Sequence, residues 1–193
     1  MAAISRRALL QLAAVGSTAG FLTPTAAATS GTATPSGVPS PETWPGAIDA
    51  YITKTQFSGV ATLPEIQEEY RNAIPIFPLA LPDGWTFPQD PGLSDPDGGA
   101  VWERGSGVTT AYIIWQRAVA DAAASGHQRG DTNGAHRHLD LLQAAYASKV
   151  RKSALIDPDD IFVSDATTAH GAARGPLAAA RNGDFKLLKM FTG

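Results

Sequence analysis

Cysteine is absent from the 193-residue chain. That absence removes disulfides, thiolate nucleophiles, zinc–thiolate and iron–sulfur sites, and a lipid anchor on cysteine. No apolar run approaches the roughly 20 residues that bilayer hydrocarbon demands. The G-x-S-x-G of a nucleophile elbow is missing, as are the lysine-bearing glycine loop that cradles phosphate and the oxygen-ligand spacing of a calcium-binding helix–loop–helix. Strand-like alternation is scarce, and the tetrapeptide Asp160–Val163 is too short to build a sheet. No internal repeat occurs. A chain so composed must be held by an apolar core alone.

The first residues read as an export signal. Ser5-Arg6-Arg7-Ala8-Leu9-Leu10 resembles the bacterial twin-arginine motif, although the lysine often found next is lacking. An apolar stretch from Ala8 to about Leu22 is diluted by Gly16, Ser17, Thr18 and Gly20, which suits that route better than the general secretory one. Thr25-Ala26-Ala27-Ala28 then offers a small-residue cleavage site. The expectation is a signal peptide over 1–28, with Arg6, Arg7 and Ala28 as targeting residues. Its partners would be the twin-arginine export machinery and signal peptidase. The passenger would fold in the cytoplasm and end secreted or associated with the cell envelope, with no membrane span in the mature form. Residues 29–41, rich in Thr, Ser, Gly and Pro, read as a disordered linker, and 42–193 as a single domain.

Charge is uneven. The whole chain is −3, an acidic balance that argues against nucleic acid as partner. Residues 42–103 carry ten acids against Lys54 and Arg71, whereas residues 104–193 carry eight acids against eleven bases. The two parts should attract when packed. The basic stretch holding Lys186 and Lys189 is a weaker candidate for touching an acidic envelope polymer.

Periodicity predicts a mainly α fold: three to five helices with a proline-rich extended arm packed across them. Thr62-Leu63-Pro64-Glu65 matches a capping box and opens a helix over 63–72. Residues 74–103 contain a proline every few positions, which excludes helix and disfavours central strand. Ile74, Ile76, Phe77, Leu79, Leu81, Trp85 and Phe87 nevertheless make the segment too apolar for a solvated loop, and Pro82-Asp83-Gly84 should turn it. Ser106 can cap a helix running to Ser125-Gly126, with Val108, Tyr112, Trp115, Val119 and Ala122 at helical spacing and Thr110, Arg117 and Asp121 as a narrow polar face. Such a helix belongs at the centre of the domain. A second long helix should start near Asn133 and carry Ala135, Leu139, Leu142, Tyr146 and Val150 on one stripe, antiparallel to the first. Pro176 opens another helix that Asn182-Gly183 closes.

Two groups of residues are candidates for chemistry. Phe77, Trp85, Phe87 and Trp102 form either an apolar strap completing the core or an aromatic wall for a ligand. His127, Asp131, His136 and Asp140 are the only ligand-like cluster. His136 and Asp140 share a helical face, while His136 and His138 point about 160° apart and cannot hold one ion. A divalent metal would therefore need His127 or Asp131 folding back from the loop. No other cofactor is expected. The glycines of "RGSGVTT" (104–110) precede a helix N-terminus, where free amides can hold an anion, although Ser106 serves there as a plain cap. The acids of "DPDD" (157–160) read as turn formers.

The twin-arginine leader, "FPLALPDGWTFP" and "VTTAYIIWQRAVADAAASG" together resemble small exported proteins of uncharacterised function from high-GC Gram-positive bacteria. The resemblance spans about residues 70–150 and implies no catalytic residues. The expected function is a non-enzymatic envelope or extracellular role, binding a protein, polymer or small ligand through the aromatic arm. The alternative is a metal-assisted hydrolase built on His136 and Asp140.

Overall fold

A helix that is apolar almost all round must sit where other elements cover it, and the long central helix of this chain does. A computed structural model describes residues 3–4, 44–95, 98–155, 157, 160–164 and 175–192. Arg6, Arg7, Ala28 and the 29–41 linker lie outside these. The described residues form seven α-helices: α1 (Trp44–Lys54), α2 (Leu63–Ala73), α3 (Ser106–Gln128), α4 (Thr132–Tyr146), α5 (Lys149–Ala154), α6 (Pro176–Arg181) and α7 (Lys186–Thr192). The fold is mainly α. Three long helices, α2, α3 and α4, and the short α6 correspond to expected helices, while α1, α5 and α7 are additional. Strand is minimal: β1 (Ala3–Ile4) lies parallel, and β2 (Val60–Ala61) antiparallel, to β3 (Val101–Glu103). No described helix is long and apolar enough to cross a membrane.

α3 is packed by α2, α4, α5 and α7, and every residue from Ser106 to Gly126 is buried or half-buried. Its Tyr112, Trp115 and Val119 join Tyr51 of α1, Tyr70 of α2, Leu139 and Leu142 of α4, Leu177 of α6 and Leu188 of α7 in one core.

Several boundaries differ from expectation, each for a tertiary reason. α1 was not expected at all. Gly105, left-handed at φ 90°, and not Ser106, precedes α3 as N-cap. Gly126 does not end α3, which continues to Gln128. There Gly130 (φ 79°) closes it: its N–H donates to His127 O at 3.0 Å and the Asp131 N–H to Gly126 O at 2.9 Å, a Schellman arrangement. Gly126 serves instead as the crossing point with α4, where a Cβ would lie 3.2 Å from Ala135 N. The stripe running through Val150 is broken at Ala147–Ser148, because the Ser148 hydroxyl donates to Ala145 O (2.5 Å) and accepts from the Arg151 N–H (3.3 Å), capping α5. The proline-rich segment, expected to be extended throughout, opens with one 3₁₀ turn, Ile74–Ile76, and ends in β3. Pro75 sits at the start of that turn, where a fixed φ and a missing N–H cost nothing.

The other termini match expectation. Thr62 donates both its N–H and its hydroxyl to Glu65 Oε2, at 2.8 and 2.9 Å. Asn182-Gly183 closes α6 with Gly183 at φ 88°.

A Cβ on Gly107 would stand 2.6 Å from Tyr70 N and 2.8 Å from Glu69 Cβ, and would also meet Ile66 O. Gly107→Ala is therefore expected to cost about 1–3 kcal/mol through overpacking, read by urea denaturation. Gly46→Ala in α1, where a Cβ meets nothing within 4 Å, should be neutral or stabilise by up to about 1 kcal/mol. Equal effects of the two changes would contradict the close α2–α3 crossing.

Candidate functional site

Proline deletes backbone donors but leaves carbonyls, so an arm rich in proline can pack on helices only where side chains donate to it. Two buried side chains do. Trp115 Nε1–H donates to Ala80 O at 2.9 Å, and the Tyr70 hydroxyl donates to Pro88 O at 2.8 Å. Gln67 Nε2 reaches Leu93 O at 3.5 Å. Burial, with the Asp90 carboxylate adding to it, pushes the Tyr70 hydroxyl up to about 12, so it stays protonated and able to donate. Between the two fastenings the Trp85 N–H donates to Pro82 O at 3.0 Å, and Gly84 adopts φ 82°, which closes the expected turn.

The four aromatic candidates separate into two roles. Phe77 meets Tyr51 edge-on at 5.5 Å and Phe87 at 5.3 Å, and tilts against Trp115 at 6.3 Å. Phe77 and Phe87 thus belong to the main core, with Leu79 fully covered beside them. Trp102 is buried with Ala61 and Ile66 in a smaller core, and its Nε1 has no partner among the described residues. Only Trp85 is left facing out, 40% exposed, at the turn held on both sides. The strap reading therefore describes three of the four, and no shared wall unites them.

The four metal candidates are not brought together. Asp131 caps α4 by accepting from the Gly134 N–H at 2.8 Å. Asp140 pairs with Arg181 Nη2 at 2.7 Å. His127 stacks on Phe185 with ring centroids 4.7 Å apart, and His136 is exposed on α4. Among the described residues no group of three His, Asp or Glu side chains stands within reach of one ion.

Sequence reasoning missed a denser cluster. Arg151 is 6% exposed. Its guanidinium carbon lies 3.8 Å over the Tyr146 ring, and Nη2 donates to the Tyr146 hydroxyl at 2.6 Å. That hydroxyl donates in turn to Asp157 Oδ2 at 2.5 Å and Asp160 Oδ1 at 3.1 Å, and Phe162 stacks on the ring at 5.6 Å. Burial and the two carboxylates raise the Tyr146 hydroxyl above the ordinary phenol range. Burial would raise Asp157 as well, but hydrogen bonds from Tyr146 and from the Phe162 and Ile161 N–H groups, with the charge of Arg151, outweigh it and hold the carboxyl low. The cluster ties Asp157, Asp160 and Phe162 to Tyr146 of α4 and Arg151 of α5.

The amides at the start of α3, where a plain Ser106 cap is the favoured reading, are instead taken by a carboxylate of the chain itself. Glu69, 5% exposed, accepts from the Gly105 N–H at 2.8 Å and also from the Gly107 N–H. Arg104 bridges Glu69 (3.4 Å) and Glu65 (2.6 Å).

With this geometry in view, comparison finds no protein family, no curated protein and no solved structure that matches the chain.

Tyr146→Phe keeps the ring but removes both contacts to carboxylate, and is expected to cost about 1–3 kcal/mol at neutral pH. A carboxyl held low in the folded state contributes stability that is complete above its ordinary value near 4 and is lost as pH falls below it. The difference between variant and parent should therefore be full at pH 7 and shrink toward pH 3, as urea denaturation at both values would show. A difference that stays constant would contradict the assignment.

Proposed function

We propose that the protein is exported by the twin-arginine route and acts without catalysis, as a cell-envelope or extracellular binding protein whose contact point is the arm. One observation carries this reading. Trp85 stands 40% exposed on a turn that buried donors fasten on both sides, while Phe77, Phe87 and Trp102 are spent on packing. A large amphipathic ring on a rigid mount loses little conformational entropy when it binds, which is what a contact residue needs. Export rests on Arg6, Arg7 and the cleavage site at Ala28, with the export machinery and signal peptidase as partners. A cysteine-free core closed by packing alone suits transport after folding. The metal-assisted hydrolase is not adopted, because the Asp131 and Asp140 carboxylates are already engaged by a helix cap and by Arg181.

The chain has four tryptophans, so the test compares the parent with Trp85→Phe, which subtracts the exposed indole from the emission spectrum. Soluble envelope polymer fragments and extracellular protein fractions should shift the parent emission. Trp85→Ala should weaken the response about tenfold or more while leaving the thermal melt unchanged. A response indifferent to Trp85→Ala would overturn the proposal.

A further inference from the structure

The arm is one-signed. From residue 72 to residue 103 there is no Lys, Arg or His, while Asp83, Asp90, Asp95, Asp97 and Glu103 fall in the same stretch. Asp95 turns onto the chain, accepting from the Ala100 N–H at 2.9 Å. Asp90 accepts from the Gly92 N–H at 2.8 Å with one oxygen and remains exposed, and Asp83 is exposed inside the Pro82–Trp85 turn. Arg104, the base that ends the stretch, is committed to Glu65 and Glu69. The exposed indole is thus flanked by exposed carboxylates two residues before it and five after.

An aromatic face beside carboxylates is matched by a guanidinium or ammonium: the cation lies over the indole and its N–H groups reach an acid. An anionic polymer would meet like charge at Asp83 and Asp90, on either side of the indole. A neutral sugar would stack on Trp85 but gain nothing from Asp83 or Asp90. We infer that the occupant of the arm is a basic, extended peptide segment of a partner protein, one Arg or Lys of which stacks on Trp85 and pairs with Asp83 or Asp90. This rests on the arm being the binding surface.

The probe is a six-residue oligoarginine peptide, titrated against the full chain by calorimetry at low and high salt, with a neutral chito-oligosaccharide in parallel. Melting curves verify that each variant folds. The expected result is peptide binding that weakens with salt, falls about tenfold or more in Trp85→Ala, and falls about twofold to fivefold in each of Asp83→Asn and Asp90→Asn. Asp184→Asn, which makes the same change in net charge between α6 and α7, should leave binding unaltered. An equal loss in Asp184→Asn, or no binding of the peptide by the parent, would overturn the inference. So would Trp85-dependent binding of the saccharide that ignores Asp83 and Asp90, although that outcome leaves the arm standing as a binding surface. Indifference of both ligands to Trp85→Ala would remove the surface itself.

Discussion

A proline-rich segment carries more acceptors than donors, and this imbalance governs how the protein is built. Carbonyls laid against a helical core must find N–H or O–H groups there or go unsatisfied. Trp115 and Tyr70, both fully buried, supply them at Ala80 and Pro88. The dependence is mutual, since an indole N–H and a phenol hydroxyl in an apolar core need acceptors as much as the arm needs donors. The contrast is visible nearby: the Tyr51 hydroxyl and Trp102 Nε1 are buried with no partner among the described residues. Where the exchange is made, the arm becomes part of the core, and the turn between the two fastenings is left to present Trp85.

The mount itself depends on the joint between α2 and α3. Gly105 turns the chain out of β3, Gly107 lets α2 approach the first turn of α3, and the buried Glu69 carboxylate takes the amides that result. Burial raises Glu69, whereas two amides and Arg104 favour its charged form. Arg104 also draws the acidic first part of the chain onto the basic second part, as does Lys149 with Asp49. The Lys149 pair is exposed at both ends and worth at most about 1 kcal/mol. The joint at Glu69 positions Tyr70, one residue on, to reach Pro88.

What could be read from sequence was what local chemistry decides. The capping box at Thr62–Glu65, the burial of α3, the Pro176 start and Gly183 end of α6, the turn at Pro82–Gly84 and the apolar packing of the arm all follow from neighbours within a few residues. What could not be read depends on partners far along the chain. Gly126 and Gly130 are both plausible helix terminators until α4 is placed, and then one is a crossing point and the other the cap. Arg151 stands one residue beyond the Val150 stripe, where nothing local signals a buried role, yet it turns inward onto Tyr146. The glycines at 105 and 107 read as the lead-in to a Ser106 cap, and nothing near them in sequence discloses that Glu69 takes their amides. α1 escaped because Pro45, Gly46 and its β-branched residues weaken the helical signal that Ile48 and Tyr51 carry.

The account stands on the arm being a fixed rail, and backbone ¹⁵N relaxation across residues 79–90 measures that directly. It predicts order parameters for the non-proline amides, Trp85 included, near the roughly 0.85 of a rigid backbone and level with those of α3. Values below about 0.6 through that segment, with α3 rigid in the same sample, would mean that the Trp115 and Tyr70 fastenings do not hold and that Trp85 has no mount.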